Sequence, residues 1–184
     1  MPRQLATFGL TFPLLKFSML TAALLTAALP ATAQPTSEVA PPRLEFAFEE
    51  IVSLAPAIPV GKTAFGERLI IPITGGTFEG PGIKGTIIPG SWDWQLQRAD
   101  GCTDVKADYM LRTDDGVVIN VVNTGTLCGP DSDGKPRPSR THPVFEPPLG
   151  KYEWLGQSAF IGTLEAVRED GKLSAVRIRF YRAL

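Results

Sequence analysis

The sequence predicts an all-β protein: a single antiparallel β-barrel of roughly eight strands in meander order, with a two-sheet sandwich as the competing arrangement. Three observations lead there. Apolar residues recur at a period of two in stretches bounded by glycine and proline, the pattern of half-buried strands. After the first 33 residues no segment of useful length carries the 3.6-residue period of an amphipathic helix. Short glycine-bearing turns join successive stretches, as hairpins require.

The elements follow in chain order. Leu44 to Leu54 places Leu44, Phe46 and Phe48 on one face and Glu45 and Glu49 among the others. Glu67 to Thr74 puts Leu69, Ile71 and Ile73 on one side, and Ile83 to Ile88 follows a glycine-rich turn. Trp92, Trp94 and Leu96 alternate with Asp93, Gln95 and Gln97. Trp92, Trp94 and Trp154 are expected in core or rim packing, where aromatic rings also line small-molecule cavities. Lys151 to Val167 and Ser174 to Leu184 form a last hairpin around Glu169-Asp170-Gly171.

The clearest unit lies between Cys102 and Cys128, the only two cysteines. Asp104 to Thr113 and Val117 to Thr124 flank Asp114-Asp115-Gly116, which reads as a three-residue hairpin loop with glycine in the left-handed position. That loop pairs Thr113 with Val117, so paired numbers sum to 230, and Cys102 and Cys128 share that sum. The two cysteines then face each other across one ladder, where a disulfide closes. A two-residue loop would displace them by one position. The same register puts Ala107, Tyr109, Leu111, Ile119, Val121 and Asn123 inside, and Asp108, Met110, Arg112, Val118 and Asn120 outside.

Residues 1–33 have the pattern of a cleavable secretion signal. Arg3 and Lys16 precede an apolar run from Met19 to Leu29, and Ala31-Thr32-Ala33 offers small residues at the cleavage point. The run is too short for a membrane span. Residues 34–42 are a polar, proline-bearing lead-in, and 43–184 the barrel domain. Without the signal, 16 basic and 19 acidic residues remain, a formal charge of −3 with no basic cluster. That balance argues against nucleic acid and against an anionic membrane surface as partners. Export, to periplasm or medium, also makes a disulfide the natural state of a lone cysteine pair.

Cys128 to Lys151 holds six prolines and no strand period, so it reads as a lid, a binding loop or a disordered excursion whose Val144 and Phe145 dock on the body. Gly80-Pro81-Gly82-Ile83-Lys84-Gly85 matches a dinucleotide fingerprint as a string, but no helix follows it. His142, the only histidine, reads as a surface-loop residue rather than a zinc ligand or a triad member. No cofactor or metal site is expected. Glu79, Asp93, Tyr109 and Arg112 sit near glycine-rich strand ends, and with Trp94 and Trp154 they form the candidate cavity set. A carboxylate beside an arginine or tyrosine could do acid/base work on a carbonyl compound.

The run from Gly66 to Gly90, then Asp93-Trp94-Gln95-Leu96, Tyr109, Leu111 to Gly116, Tyr152 to Leu155 and Phe160-Ile161-Gly162 resemble the domain-of-unknown-function 3237 family over nearly all of 42–181. The resemblance implies a small single-domain β-barrel without an assigned activity. Family members are mostly short chains without an export signal and commonly carry Asn where this chain has Gly156. Three functions are then in play: a barrel binding a small, partly apolar molecule; a cofactor-free isomerase, cyclase or lyase with Glu79 or Asp93 as base and Arg112 or Tyr109 steadying negative charge; and a structural exported protein.

Overall fold

The computed structural model describes residues 40–184, so the secretion signal and most of the lead-in lie outside the described residues. The described residues form nine strands: β1 (Leu44–Leu54), β2 (Ile58–Thr63), β3 (Gly66–Gly80), β4 (Ile83–Gln97), β5 (Thr103–Thr113), β6 (Val118–Leu127), β7 (Arg140–Glu146), β8 (Phe160–Glu169) and β9 (Lys172–Ala183). Antiparallel pairing runs β1-β9-β8-β7-β6-β5-β4-β3, and β1 pairs with β3 to close an eight-stranded barrel. Closure leaves no free edge within the barrel itself. β2 extends the sheet outside the ring by pairing with the first half of β3.

Closing a sheet into a barrel requires its strands to bend, and bulges and glycines permit that. β3 and β4 slip register between Ile73 and Thr77, and β4 and β5 slip between Ile88 and Trp92. At the first of these, Gly76 (φ 137°) lies against β1, and a Cβ there would meet the Ile51 carbonyl oxygen. Gly85 lies equally close to the Arg112 carbonyl on β5. Glycines in this region therefore let neighbouring strands approach closely where the sheet bends.

The β5–β6 hairpin has the predicted register throughout, from Arg112 opposite Val118 to Thr103 opposite Leu127. The Thr113 amide donates to the Val117 carbonyl, Gly116 is left-handed (φ 87°), and Cys102 and Cys128 form a disulfide with their Cα atoms 4.2 Å apart. Asp115 in this loop accepts hydrogen bonds from Lys151 Nζ at 2.7 Å and Tyr152 Oη at 2.9 Å. These bonds tie together two segments that carry the family resemblance.

Several expectations are corrected. Within the stretch read as a structureless loop, residues 140–146 form β7, with Thr141, Pro143 and Phe145 inward and Arg140, His142, Val144 and Glu146 outward. A proline at an inward position hid that alternation. His142 is therefore exposed on a strand and not in a loop. Residues 151–159 are not strand; they hold a 3₁₀ turn at Glu153–Leu155, and Asp170-Gly171 alone turns β8 into β9. On β1, a bulge between Phe46 and Phe48 puts Ala47 and Phe48 both inside and leaves Leu44 and Phe46 exposed. Trp92 (49% exposed) and Trp94 face outward, because β4 carries the inward parity of Ile83 and Ile87 on to Asp93 and Gln95.

The strand positions show where the core sits. Phe48, Phe78, Phe145, Phe160 and Phe180 all lie towards one end of the barrel, with ring centroids 5.0 to 5.8 Å apart, and Tyr152 and Leu155 join them. Ile119 is fully buried in this cluster. Ile119→Val should cost about 1 kcal/mol, since one methylene leaves a close-packed site. Urea unfolding would measure this, and an unchanged midpoint would contradict such tight packing.

Candidate functional site

The opposite half of the barrel is not filled. A cavity of about 190 Å³ lies among the late residues of β1, β4, β6 and β8 and the early residues of β3, β5, β7 and β9. Its walls are mostly aliphatic, including Val52, Ile71, Ile73, Val105 and Ile178. Leu54, Ala166, Arg168 and Leu173 are at least partly exposed and mark its mouth, and Leu127, next to the disulfide, also lines it.

Against this apolar wall stand five inward polar side chains: Asp93, Gln95, Tyr109, Asn123 and Thr141. Asp93 accepts from Gln95 Nε2 at 2.8 Å and from the Lys106 amide at 3.0 Å. Burial nevertheless pushes its carboxyl above the ordinary range, with those two bonds opposing the shift. Asn123 Oδ1 and Thr141 Oγ1 are buried without a hydrogen-bond partner. A buried acceptor left unpaired costs roughly 1–3 kcal/mol, so polar atoms at such a position call for a partner.

Tyr109 connects the cavity to a group behind it. Its hydroxyl donates to Glu50 Oε2 at 2.6 Å across the barrel, between strands that are not neighbours. Glu50 is fully buried, and its Oε1 has no partner. Its ladder neighbours are Phe78 on β3 and Ile178 on β9, so nothing beside it offsets desolvation. Burial therefore raises its carboxyl to about 8, although the Tyr109 bond pulls the other way. The Tyr109 hydroxyl in turn is raised well above its usual value, by burial first and by the Glu50 charge next.

Of the candidate set, Asp93 and Tyr109 line this cavity. Glu79, Trp94 and Arg112 do not: Glu79 and Arg112 are exposed on outward strand positions, and Trp94 lies outside under the Arg68 guanidinium at 5.6 Å. Trp154 packs on the closed end, 6.0 Å from the Phe160 ring and 5.9 Å from the Arg182 guanidinium. Asn123 was expected on the inward face but without a role in the site, and Glu50 and Thr141 were not anticipated. For Glu50 a signal existed, because it stands at period two between Phe48 and Val52 on the inward face, but an acidic residue there was read as part of a strand pattern and not as a site.

Fold and site together define a small closed β-barrel with one end packed and the other hollowed into an apolar cavity bearing buried polar groups. The chain belongs to the family described as "Protein of unknown function (DUF3237)", which matches residues 42–183. It is 35% identical over 135 residues to a UPF0311 protein of Rhodopseudomonas palustris (strain TIE-1), covering 66% of this chain and 88% of that one. A solved β-barrel-like protein from Acinetobacter baumannii AYE superposes with a TM-score of 0.71 at 32% identity, covering 81% of this chain and all of the other. A hydroalkoxylation enzyme of Penicillium herquei, phnH, is 28% identical over 127 residues, covering 69% of this chain and 77% of that enzyme.

Proposed function

We propose that this protein is an exported barrel that binds a small, partly apolar molecule in the cavity at its open end. One observation carries the reading: an aliphatic cavity of about 190 Å³ also has Asp93, Gln95, Tyr109, Asn123 and Thr141 along its wall. A purely structural barrel would gain by filling that space with methyl groups, whereas a ligand with an apolar body and one polar end satisfies both kinds of surface. The volume suits one ring, since a cavity of about 150 Å³ admits benzene. The disulfide and the secretion-signal pattern at residues 1–33 support an oxidising, extracytoplasmic site of action.

A second reading is cofactor-free acid/base catalysis in the same cavity. Its support is the Glu50–Tyr109 pair and the likeness to an enzyme named for hydroalkoxylation, the addition of an alcohol O–H bond across a carbon–carbon double bond. Native mass spectrometry of protein purified from its own source is expected to show a bound organic molecule. Ala107→Phe, which fills the cavity from β5, should release it while the barrel stays folded. A ligand retained by the filled variant would place binding elsewhere on the molecule.

A further inference from the structure

We propose that Tyr109 and Glu50 form a proton relay at the floor of the cavity, and that its ligand is a one-ring, largely apolar compound whose acidic hydroxyl, of phenol or enol type, lies against Tyr109. The proposal rests on the cavity being a binding site. It specifies which chemistry the polar end of the ligand carries.

The geometry supplies the reason. Tyr109 is 1% exposed yet lines the cavity, and its hydroxyl bonds to a carboxylate one layer deeper. Glu50 itself does not line the cavity, so a ligand reaches it only through Tyr109. In the transfer, the ligand O–H bond breaks as its proton passes to Tyr109 Oη. The Tyr109 O–H bond breaks as its own proton passes to the Glu50 carboxylate. The products are neutral Glu50, an unchanged Tyr109 and a ligand oxyanion, and the reverse passage returns the proton. Asn123 and Thr141 also line the cavity, where a second polar group on the ligand would meet them.

A carboxyl held near 8 matches a phenol or enol far better than an ordinary alcohol, so the proton can move either way near neutrality. The groups facing Glu50 are Tyr109 from β5, with the apolar Phe78 and Ile178 on its flanks. The other charged groups of the cavity are Asp93 on β4 and Arg168 at the mouth on β8.

The test compares 4-nitrophenol with its O-methyl ether, 4-nitroanisole, by titration calorimetry and by the visible spectrum of the bound phenol. Wild type is expected to bind both. Nitrophenol affinity should fall up to tenfold per pH unit above pH ~8, because the complex must retain one proton between Glu50 and the phenol oxygen. Nitroanisole affinity should stay level with pH. Glu50→Gln should move the onset of the fall down to the ionisation of nitrophenol itself, near pH ~7, while still binding nitroanisole, which certifies its fold. Tyr109→Phe should bind nitrophenol about tenfold more weakly, having lost one buried hydrogen bond. If neither probe binds wild type, the binding reading fails and the relay with it. If both bind and the onset stays unmoved in Glu50→Gln, the relay alone is overturned.

Discussion

Replacing Glu50 by Gln is expected to make the protein more stable in alkali and to flatten its stability between pH ~4.5 and ~8. The sign follows from proton counting. In the unfolded chain Glu50 ionises around 4.5, whereas in the barrel it holds its proton to about 8. Between those values the folded state binds one more proton than the unfolded state, so stability falls as pH rises. The contribution is intact below pH ~4.5, is lost on passing through the folded value, and stays lost above it. The full excursion is on the order of 4–5 kcal/mol for a shift of that size. Gln fills nearly the same space and carries no charge to desolvate. Urea unfolding at pH ~5 and pH ~9 should show the wild type losing several kcal/mol and the variant little. Equal losses in the two proteins would mean that Glu50 is not the buried titrating group.

Loss of the Cys102–Cys128 bridge should have the next largest effect. It closes a segment with a sequence separation of 26 residues, for which the chain-entropy account gives about 3.5 kcal/mol. For a domain of this size that amounts to a fall in Tm of roughly 10 °C. The double variant Cys102→Ala, Cys128→Ala, or the reduced wild type, measures it by calorimetry. The bridge joins the ends of β5 and β6 beside Leu127 at the cavity, so ligand affinity should weaken along with stability. Alkylation of the unreduced protein should label neither cysteine. Two labels, or a Tm indifferent to reductant, would show that the bridge does not hold this end of the barrel.

The β5–β6 hairpin was legible because everything that sets it is local. Asp114-Asp115-Gly116 fixes the loop, the loop fixes the register, and the register fixes both the cysteine pairing and the inward face from Ala107 to Asn123. β7 was not legible, because Pro143 on its inward side imitates a loop, and only β6 and β8 waiting on either side recruit it as a strand. Trp92 and Trp94 misled for a related reason. Large aromatic residues suggest a core, but β4 passes a register shift between Ile88 and Trp92 and still keeps the inward parity of Ile83 and Ile87.

The candidate site divides in the same way. Tyr109 and Asp93 could be nominated from the chain because their types and neighbours suggest acid/base chemistry. Glu79, Trp94 and Arg112 could be nominated on the same grounds; the hairpin register already put Arg112 outside, and the barrel turns Glu79 and Trp94 outward as well. Glu50 shares the face of Phe48 and Val52 by period, but only tertiary structure makes it a site residue: closure through β1–β3 buries it, and a residue 59 positions away becomes its partner. By itself the sequence determined the all-β class, the hairpins and the disulfide, because period, turn chemistry and ladder register act over a few residues. Tertiary structure decided which polar groups share one cavity, because curvature and closure are properties of the whole sheet and set each strand's inward face only when all eight have met.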